Sequence, residues 1–253
     1  MYAAERQQLI AERARVDGRV DVALIAAELD VTPETVRRDL TMLERQGQLR
    51  RVHGGAIPLD RLGFEPAFAT RDTVLTAEKE RIAKAAISEL PSEGAILLDS
   101  GTTTGRVAEF LPSDRELTVV TNSLPIATLL AGRSNVTVLS LGGRIRGRTL
   151  AAVDDWALKA LRDAYVDVAF LGTNGLSVER GLTTPDLAEA AVKSAMIKAA
   201  RRAVVLADHT KIGNDAFARF GELGDIEALI TDDGVDLDVV EAIETAGPRV
   251  VRA

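Results

Sequence analysis

The sequence has no cysteine and only two histidines, His53 and His209. Without cysteine there is no disulfide framework, no thiolate zinc site and no cysteine nucleophile. Two histidines argue against a multi-histidine metal site. No apolar run reaches the ~18 residues of a membrane span. The first ten residues, Met1 to Ile10, lack the apolar core of a secretory leader. There is no G-x-x-x-x-G-K-[ST] loop, and no G-x-G-x-x-G run follows a strand, so a kinase or nucleotide binder is disfavoured and no cofactor is implied. With 46% hydrophobic and 27% charged residues over 253 positions, the composition is that of an ordinary globular chain. The expectation is a cytoplasmic protein with no metal, no cofactor and no membrane partner.

Lysine is absent before Lys79, where every cation is an arginine. Residues 1–56 hold nine arginines and nine acidic residues, so the net charge of -7 falls entirely on the remainder. The rigid guanidinium fork suits phosphate and guanine recognition. A neutral, arginine-only head on an acidic body fits one region that touches DNA and one that does not.

The head reads as three helices and a hairpin. Leu9, Ile10, Ala14 and Val16 among charges mark a helix over Ala4 to Val16, stopped by Gly18. Val22 to Leu29 is a second helix, and Asp30-Val31 a turn. Thr32 caps a third helix, Pro33 takes its first position, and Gly47 ends it after about Gln46. Val36, Leu40 and Leu43 share its buried face, while Thr35, Arg37, Arg38 and Thr41 lie elsewhere. A short helix, a tight turn and a capped helix carrying adjacent arginines form a helix-turn-helix, whose arginines would reach base edges or phosphates. Gln48 to Ala56 reads as a basic hairpin, a wing. The expected DNA-contacting residues are Thr32, Glu34, Thr35, Arg37 and Arg38, with Arg50, Arg51 and His53 from the wing.

Pro58, Gly63 and Pro66 punctuate a linker over 57–75. The larger domain, 76–253, opens with an amphipathic helix at Glu78 to Leu90. Strands are expected at Ala95–Asp99, Leu117–Thr121, Val136–Leu141, Val166–Leu171, Ala203–Ala207, Ala228–Thr231 and Arg249–Val251. Helices are expected at Thr104–Leu111, Leu124–Gly132, Asp155–Asp163, Ala188–Ala200 and Val235–Ala246. This alternation predicts an α/β fold with a mostly parallel sheet covered on both faces.

Ligands of such sheets bind outside the carboxyl ends of the strands. There lies Asp99-Ser100-Gly101-Thr102-Thr103-Thr104, which leaves a strand and opens a helix. Its hydroxyls and helix-start amides suit anionic oxygens. It is expected to be a phosphate cradle without the lysine of a nucleotide loop, with ordinary Ser and Thr capping of the helix as the alternative. Asn122-Ser123, Gly142-Gly143, Gly172 to Gly175 and Asp208 to Lys211 follow later strands and could encircle a small polyhydroxylated molecule. Lys211 would supply positive charge.

In order along the chain, Val36-Arg37-Arg38-Asp39-Leu40, Arg51 to Ala56, Asp99 to Thr104, Thr121-Asn122-Ser123, Leu141-Gly142-Gly143, Gly181 to Asp186, Glu189 and Asp208 to Lys211 resemble the DeoR family of bacterial regulators. The likeness spans nearly the whole chain. It implies a winged helix-turn-helix followed by a sensor related to ribose-phosphate isomerase. It also implies a repressor of a sugar-catabolic operon, released or modulated by a phosphorylated sugar, fructose phosphates first. Operator double-stranded DNA is the implied partner, and the implied assembly is a homo-oligomer, dimer or tetramer. By motif, Ser100, Thr102, Thr103, Thr104 and Lys211 would hold phosphate. Asp99, Asn122, Gly143 and Asn174 would line the sugar, and Gly101, Ser123, Arg146, Asp186 and Glu189 complete the expected effector site.

One departure is Asp154-Asp155 after Val153, where many members have glycine. These acids would repel an anion unless they bind hydroxyls, pair with Arg144, Arg146 or Arg148, or point away. Asp155 as a cap for a helix starting at Trp156 is the simplest account. The rival function is a sugar-phosphate isomerase, which needs a base to move a proton between carbons. The strand Val166–Leu171 is followed by Gly172-Thr173-Asn174-Gly175, with no acid, and the isomerase glutamate aligns near Val192. Asp186 and Glu189 survive nearby. No catalytic residue is expected.

Overall fold

The computed structural model describes residues 3–45, 49–58, 65 and 67–253. They divide into two compact units, Met1–Pro66 and Ala67–Ala253.

The first unit runs α1 (Ala3–Asp17), β1 (Val20–Asp21), α2 (Val22–Glu28), α3 (Pro33–Arg45), β2 (Leu49–Val52) and β3 (Gly55–Pro58). Ile10, Ala14, Ile25, Val36, Leu40 and Leu43 pack into one core. The α2–α3 turn needs a left-handed residue, and Asp30 supplies it at φ 51°. The Thr32 hydroxyl accepts from the Thr35 amide at 3.2 Å, capping α3. Asp39, on the buried side of α3, accepts from Arg6 at 2.5 Å and Gln7 at 2.9 Å. It thereby pins α1 to α3. The expected Gly47 helix stop and the Gln48 start of the wing lie outside the described residues. Unforeseen in the sequence, β1 adds a third strand, giving the order β1-β3-β2. The approach is so close that a Cβ on Gly55 would sit 2.0 Å from the Val20 carbonyl oxygen, so only glycine fits.

The second unit begins with α4 (Phe68–Asp72) and α5 (Thr76–Ala86), which a 3-10 turn extends to Glu89. The expected 57–75 linker is thus partly structured, because Ile57 and Pro58 belong to β3 and 68–72 is helical. Proline and glycine marked its turns but not what holds it. The Phe68 amide donates to the Arg148 carbonyl at 2.9 Å. The buried Lys79 ammonium donates to the carbonyls of Arg71 and Val74.

Next come β4 (Gly94–Leu98), α6 (Thr102–Phe110), β5 (Leu117–Thr121), α7 (Leu124–Leu130), β6 (Val136–Ser140), β7 (Arg144–Arg146), β8 (Ala151–Val153), α8 (Asp155–Arg162) and β9 (Val166–Gly172). The chain continues through β10 (Gly175–Ser177), β11 (Gly181–Thr184), α9 (Leu187–Lys198), β12 (Ala200–Leu206), β13 (Ala218–Gly221), β14 (Ala228–Thr231), α10 (Leu237–Thr245) and β15 (Arg249–Arg252). A parallel seven-stranded sheet has the order β15-β14-β12-β9-β4-β5-β6. Successive strand residues point to opposite faces. Leu97, Ala169, Leu171 and Val205 therefore meet α8 and α9 on one face. Ile96, Leu98, Phe170 and Val204 meet α5, α6 and α7 on the other. From β4 the chain moves out through β5 and β6, then crosses back to β9 on the opposite side. Strand order thus reverses between β4 and β9, where open sheets hold their ligands.

Two small elements were not foreseen. One is the β7–β8 hairpin, and the other the antiparallel sheet β10-β11-β13. Their strands are only three or four residues long, so no apolar run of strand length announces them. Asp155 does not cap a helix at Trp156. It is the first residue of α8, Asp154 precedes it, and Asp154 pairs with Arg144 at 2.7 Å.

Candidate DNA-binding face and sensor site

The exposed side of α3 carries Glu34, Arg37, Arg38, Thr41, Met42 and Arg45. Positions three and four apart share a helix face. Because Val36, Leu40 and Leu43 are committed to the core, these six are left facing out. With Arg51 they line an open groove of about 440 Å³. Arg37 leans on Glu34 at 3.4 Å. Arg51, on β2, reaches across to the Thr41 hydroxyl at 3.2 Å, and its amide donates to Glu44 at 2.9 Å. Arg38, Arg45 and Arg50 have no polar partner among the described residues. Thr35 shares a hydrogen bond with Thr32 at 2.9 Å, so both serve the cap. His53 sits exposed at the hairpin turn, its carbonyl accepting from Arg19 at 2.8 Å. Thr32, Glu34, Thr35, Arg37 and Arg38 therefore come together on α3, with Arg51 joining them from the wing. Met42 and Arg45 share this groove and were missed, although their spacing from Arg38 was readable.

In the second unit, the residues of the expected cradle lie on the turn after β4. The Ser100 amide donates to Asn122 Oδ1 at 2.9 Å, binding the turn to the end of β5. Gly101 precedes α6, where Thr102 and Thr103 occupy the first turn. Thr104 is turned inward, its hydroxyl donating to the Asp99 carbonyl at 2.7 Å, so it shapes the loop. Ser123 caps α7. Gly143 is required by a close approach, since a Cβ there would lie 2.4 Å from the Val153 carbonyl oxygen. Asn174 accepts from Thr184 at 3.0 Å. Lys211 lies in a 3-10 turn after β12 that Asp208 caps.

Arg146, Asp186 and Glu189 form a cluster of their own. Arg146 pairs with Asp186 at 3.1 Å and Glu189 at 3.2 Å. Glu189, almost fully buried, also accepts from Thr149. Asp186 caps α9 through the amides of Ala188 and Glu189. These residues lock the β7–β8 hairpin to the start of α9.

Lys193, one turn beyond Glu189, was not anticipated. Its ammonium donates to Asp99 Oδ2 and to the Gly172 carbonyl at 2.9 Å. It ties β4 to β9 across the switch point. On a single helix it reads as a surface lysine, and no local signal distinguishes it.

Two ionisation shifts lie nearby. Burial pushes the Lys79 ammonium down to about 8; Asp208 opposes this, and Lys211 and Arg71 add to it. Burial would raise the Asp232 carboxyl, but hydrogen bonds from His209 outweigh it and hold the group below its ordinary value. Among the described residues no acid–histidine cluster could hold a metal, and no helix is long and apolar enough to cross a membrane.

A winged helix-turn-helix with an outward arginine face defines the class: a DNA-binding transcription regulator. Residues 6–61 match the DeoR-like helix-turn-helix domain, and residues 75–233 match the DeoR C terminal sensor domain. The chain belongs to the DeoR family. It is 39% identical over 252 residues to the HTH-type transcriptional regulator GlpR of Haloferax volcanii, covering 99% of this chain and 98% of that one. It is 31% identical to the putative aga operon transcriptional repressor of Escherichia coli O157:H7, over 98% and 93% of the two chains. It is 29% identical to the glycerol-3-phosphate regulon repressor of Escherichia coli K12, over 96% of each. Among solved structures it is similar to ribose 5 phosphate isomerase A from Neisseria gonorrhoeae, with a TM-score of 0.40, 20% identity and coverage of 56% and 54%.

Proposed function

We propose that this regulator represses a sugar-catabolic operon in the cytoplasm, as a dimer or tetramer, and that a phosphorylated sugar sets its operator affinity. The observation that carries the effector half is the Ser100–Thr104 turn. It presents hydroxyls and the amides of a helix start at the point where strand order reverses. The relatives named for an aga operon and a glycerol-3-phosphate regulon support the same reading. Arg37, Arg38 and the wing residues Arg50, Arg51 and His53 contact the operator. Thr102, Thr103 and Lys211 hold the phosphate, and Asp99, Asn122 and Asn174 face the sugar. Effector binding shifts the heads only if its affinity differs between their two arrangements.

The protein is read as a sensor without turnover. An isomerase needs a free base, yet Asp186 is committed to Arg146 and a helix cap, and Glu189 to Thr149 and Arg146.

The test is fluorescence anisotropy on DNA from upstream of its own and neighbouring genes, titrated with salt and then with sugar phosphates and the matching free sugars. Specific binding altered only by a phosphorylated sugar is expected. Conversion of any of those sugar phosphates to an isomer would overturn the reading.

A further inference from the structure

The crevice between β4 and β9 contains a buried ion pair whose satisfaction is lopsided. The side chains of Lys193 and Asp99 are 4% and 1% exposed. Asp99 Oδ2 takes both available donors, the Lys193 ammonium and the Gly172 amide at 3.1 Å. Asp99 Oδ1 is equally buried and has no donor among the described residues. Two other buried carboxylates, Asp39 and Asp232, are satisfied on both oxygens. Asp39 holds Arg6 on one and Gln7 on the other. Asp232 holds the His209 amide on one, and the His209 ring and Gly234 amide on the other. A carboxylate oxygen buried without a donor is costly. An ion pair that served only to join two strands would gain by satisfying it. Asp99 also immediately precedes the Ser100–Thr104 turn, beside the proposed phosphate anchor.

We propose that Asp99 and Lys193 read a hydroxyl of the effector. Asp99 Oδ1 accepts it. Lys193 acts through Asp99 as a positioning residue, engaging Oδ2 so that Oδ1 is left for the ligand. The Gly172 carbonyl and the Phe220 ring, 5.4 Å from the ammonium, fix the lysine in turn. This rests on the sensor reading above and narrows its effector class to phosphate esters that carry a hydroxyl close to the phosphate. Inorganic phosphate would occupy the cradle without engaging the pair. Because Oδ1 is closed to bulk water, a side chain must shift to admit the ligand, which makes association slower than diffusion.

The experiment is calorimetry on the full-length protein with inorganic phosphate, glycerol 3-phosphate, fructose 1-phosphate, fructose 6-phosphate and ribose 5-phosphate. Wild type, Lys193→Met, Lys193→Arg and Asp99→Asn are compared, with operator binding and thermal melts confirming the fold. The double variant Asp99→Asn/Lys193→Met, which removes both buried charges, stands in if Lys193→Met does not fold. The expected result is a loss of about tenfold to a hundredfold for the best hydroxylated ester in Lys193→Met and Asp99→Asn, as for a hydrogen bond to a charged group. Inorganic phosphate should stay within about twofold, and Lys193→Arg should recover part of the loss. Equal losses for both ligands, or no loss for either, would overturn the pair's role while leaving the sensor reading intact. If no ester binds the wild type, the sensor reading itself fails, and the proposal falls with it.

Discussion

The two units hold positive charge in opposite ways. On the head, Arg38, Arg45 and Arg50 stand exposed with no partner among the described residues. In the sensor, Lys79, Arg146 and Lys193 are largely buried and engaged with carbonyls or carboxylates. A surface built for a polyanion gains by keeping its cations free, since releasing counterions drives association. A pocket built for one small molecule must hold its polar groups in place beforehand, and it does so by pairing them with each other. On the proposed reading, the head answers to salt and the sensor to ligand identity.

This contrast can be broken most severely at Asp39, the buried acid of the head. Asp39→Ala leaves Arg6 without its counter-charge and should destabilise the head by about 3–5 kcal/mol. A chemical melt followed by circular dichroism would show this as loss of an early transition, and an unchanged curve would dismiss the pin between α1 and α3. Next is Arg38→Ala, expected to weaken operator binding by about 1–3 kcal/mol while effector binding holds. Equal operator affinity in that variant would remove Arg38 from the interface. Lys211→Ala should do the reverse, weakening sugar-phosphate binding about tenfold, the scale of a charged hydrogen bond. Calorimetry showing wild-type affinity would take Lys211 out of the site.

A smaller effect sharpens the comparison through pH. Lys79 keeps its proton to about 8 when folded and to its ordinary value of 10.5 when unfolded. Between those values the unfolded chain binds more protons, so stability attributable to Lys79 rises with pH across that window and is lost again as pH falls through about 8. Lys79→Met should flatten this part of the melting-temperature profile, and a profile parallel to wild type would contradict the assignment. The smallest effect is expected at Asp154, which like its partner Arg144 is exposed. Exposed pairs contribute little, so Asp154→Asn should leave the melting temperature unchanged, and a clear drop would mean that the pair does more than its exposure allows.

Much of this architecture was legible in the sequence, for identifiable reasons. The runs at Leu117–Thr121 and Ala228–Thr231 are almost wholly buried and made of apolar residues and threonine, which marked β5 and β14 to the residue. Thr32-Pro33 marked the start of α3 because cap and first-turn chemistry are local. What depends on distant partners was invisible. Lys193 looks like any helix lysine until the crossover carries α9 over the switch point. Arg146, Asp186 and Glu189 each read as ligand contacts, and only the fold reveals that they hold one another. Within the expected linker, 68–72 is too short and polar to signal a helix, and the ties from Lys79 and Arg148 that fix it come from outside it.

The crossover between β4 and β9 also sets a schedule. Asp99 meets Gly172, 73 residues later, and Lys193, 94 residues later. In the head, Arg6 meets Asp39 only 33 residues away. A contact cannot form before its later residue has been made, and during synthesis domains fold as units, the N-terminal one first. Every newly made copy thus acquires a complete DNA-reading head well before its sensor can close. For that interval, the proposed effector site lacks the lysine that completes its buried ion pair.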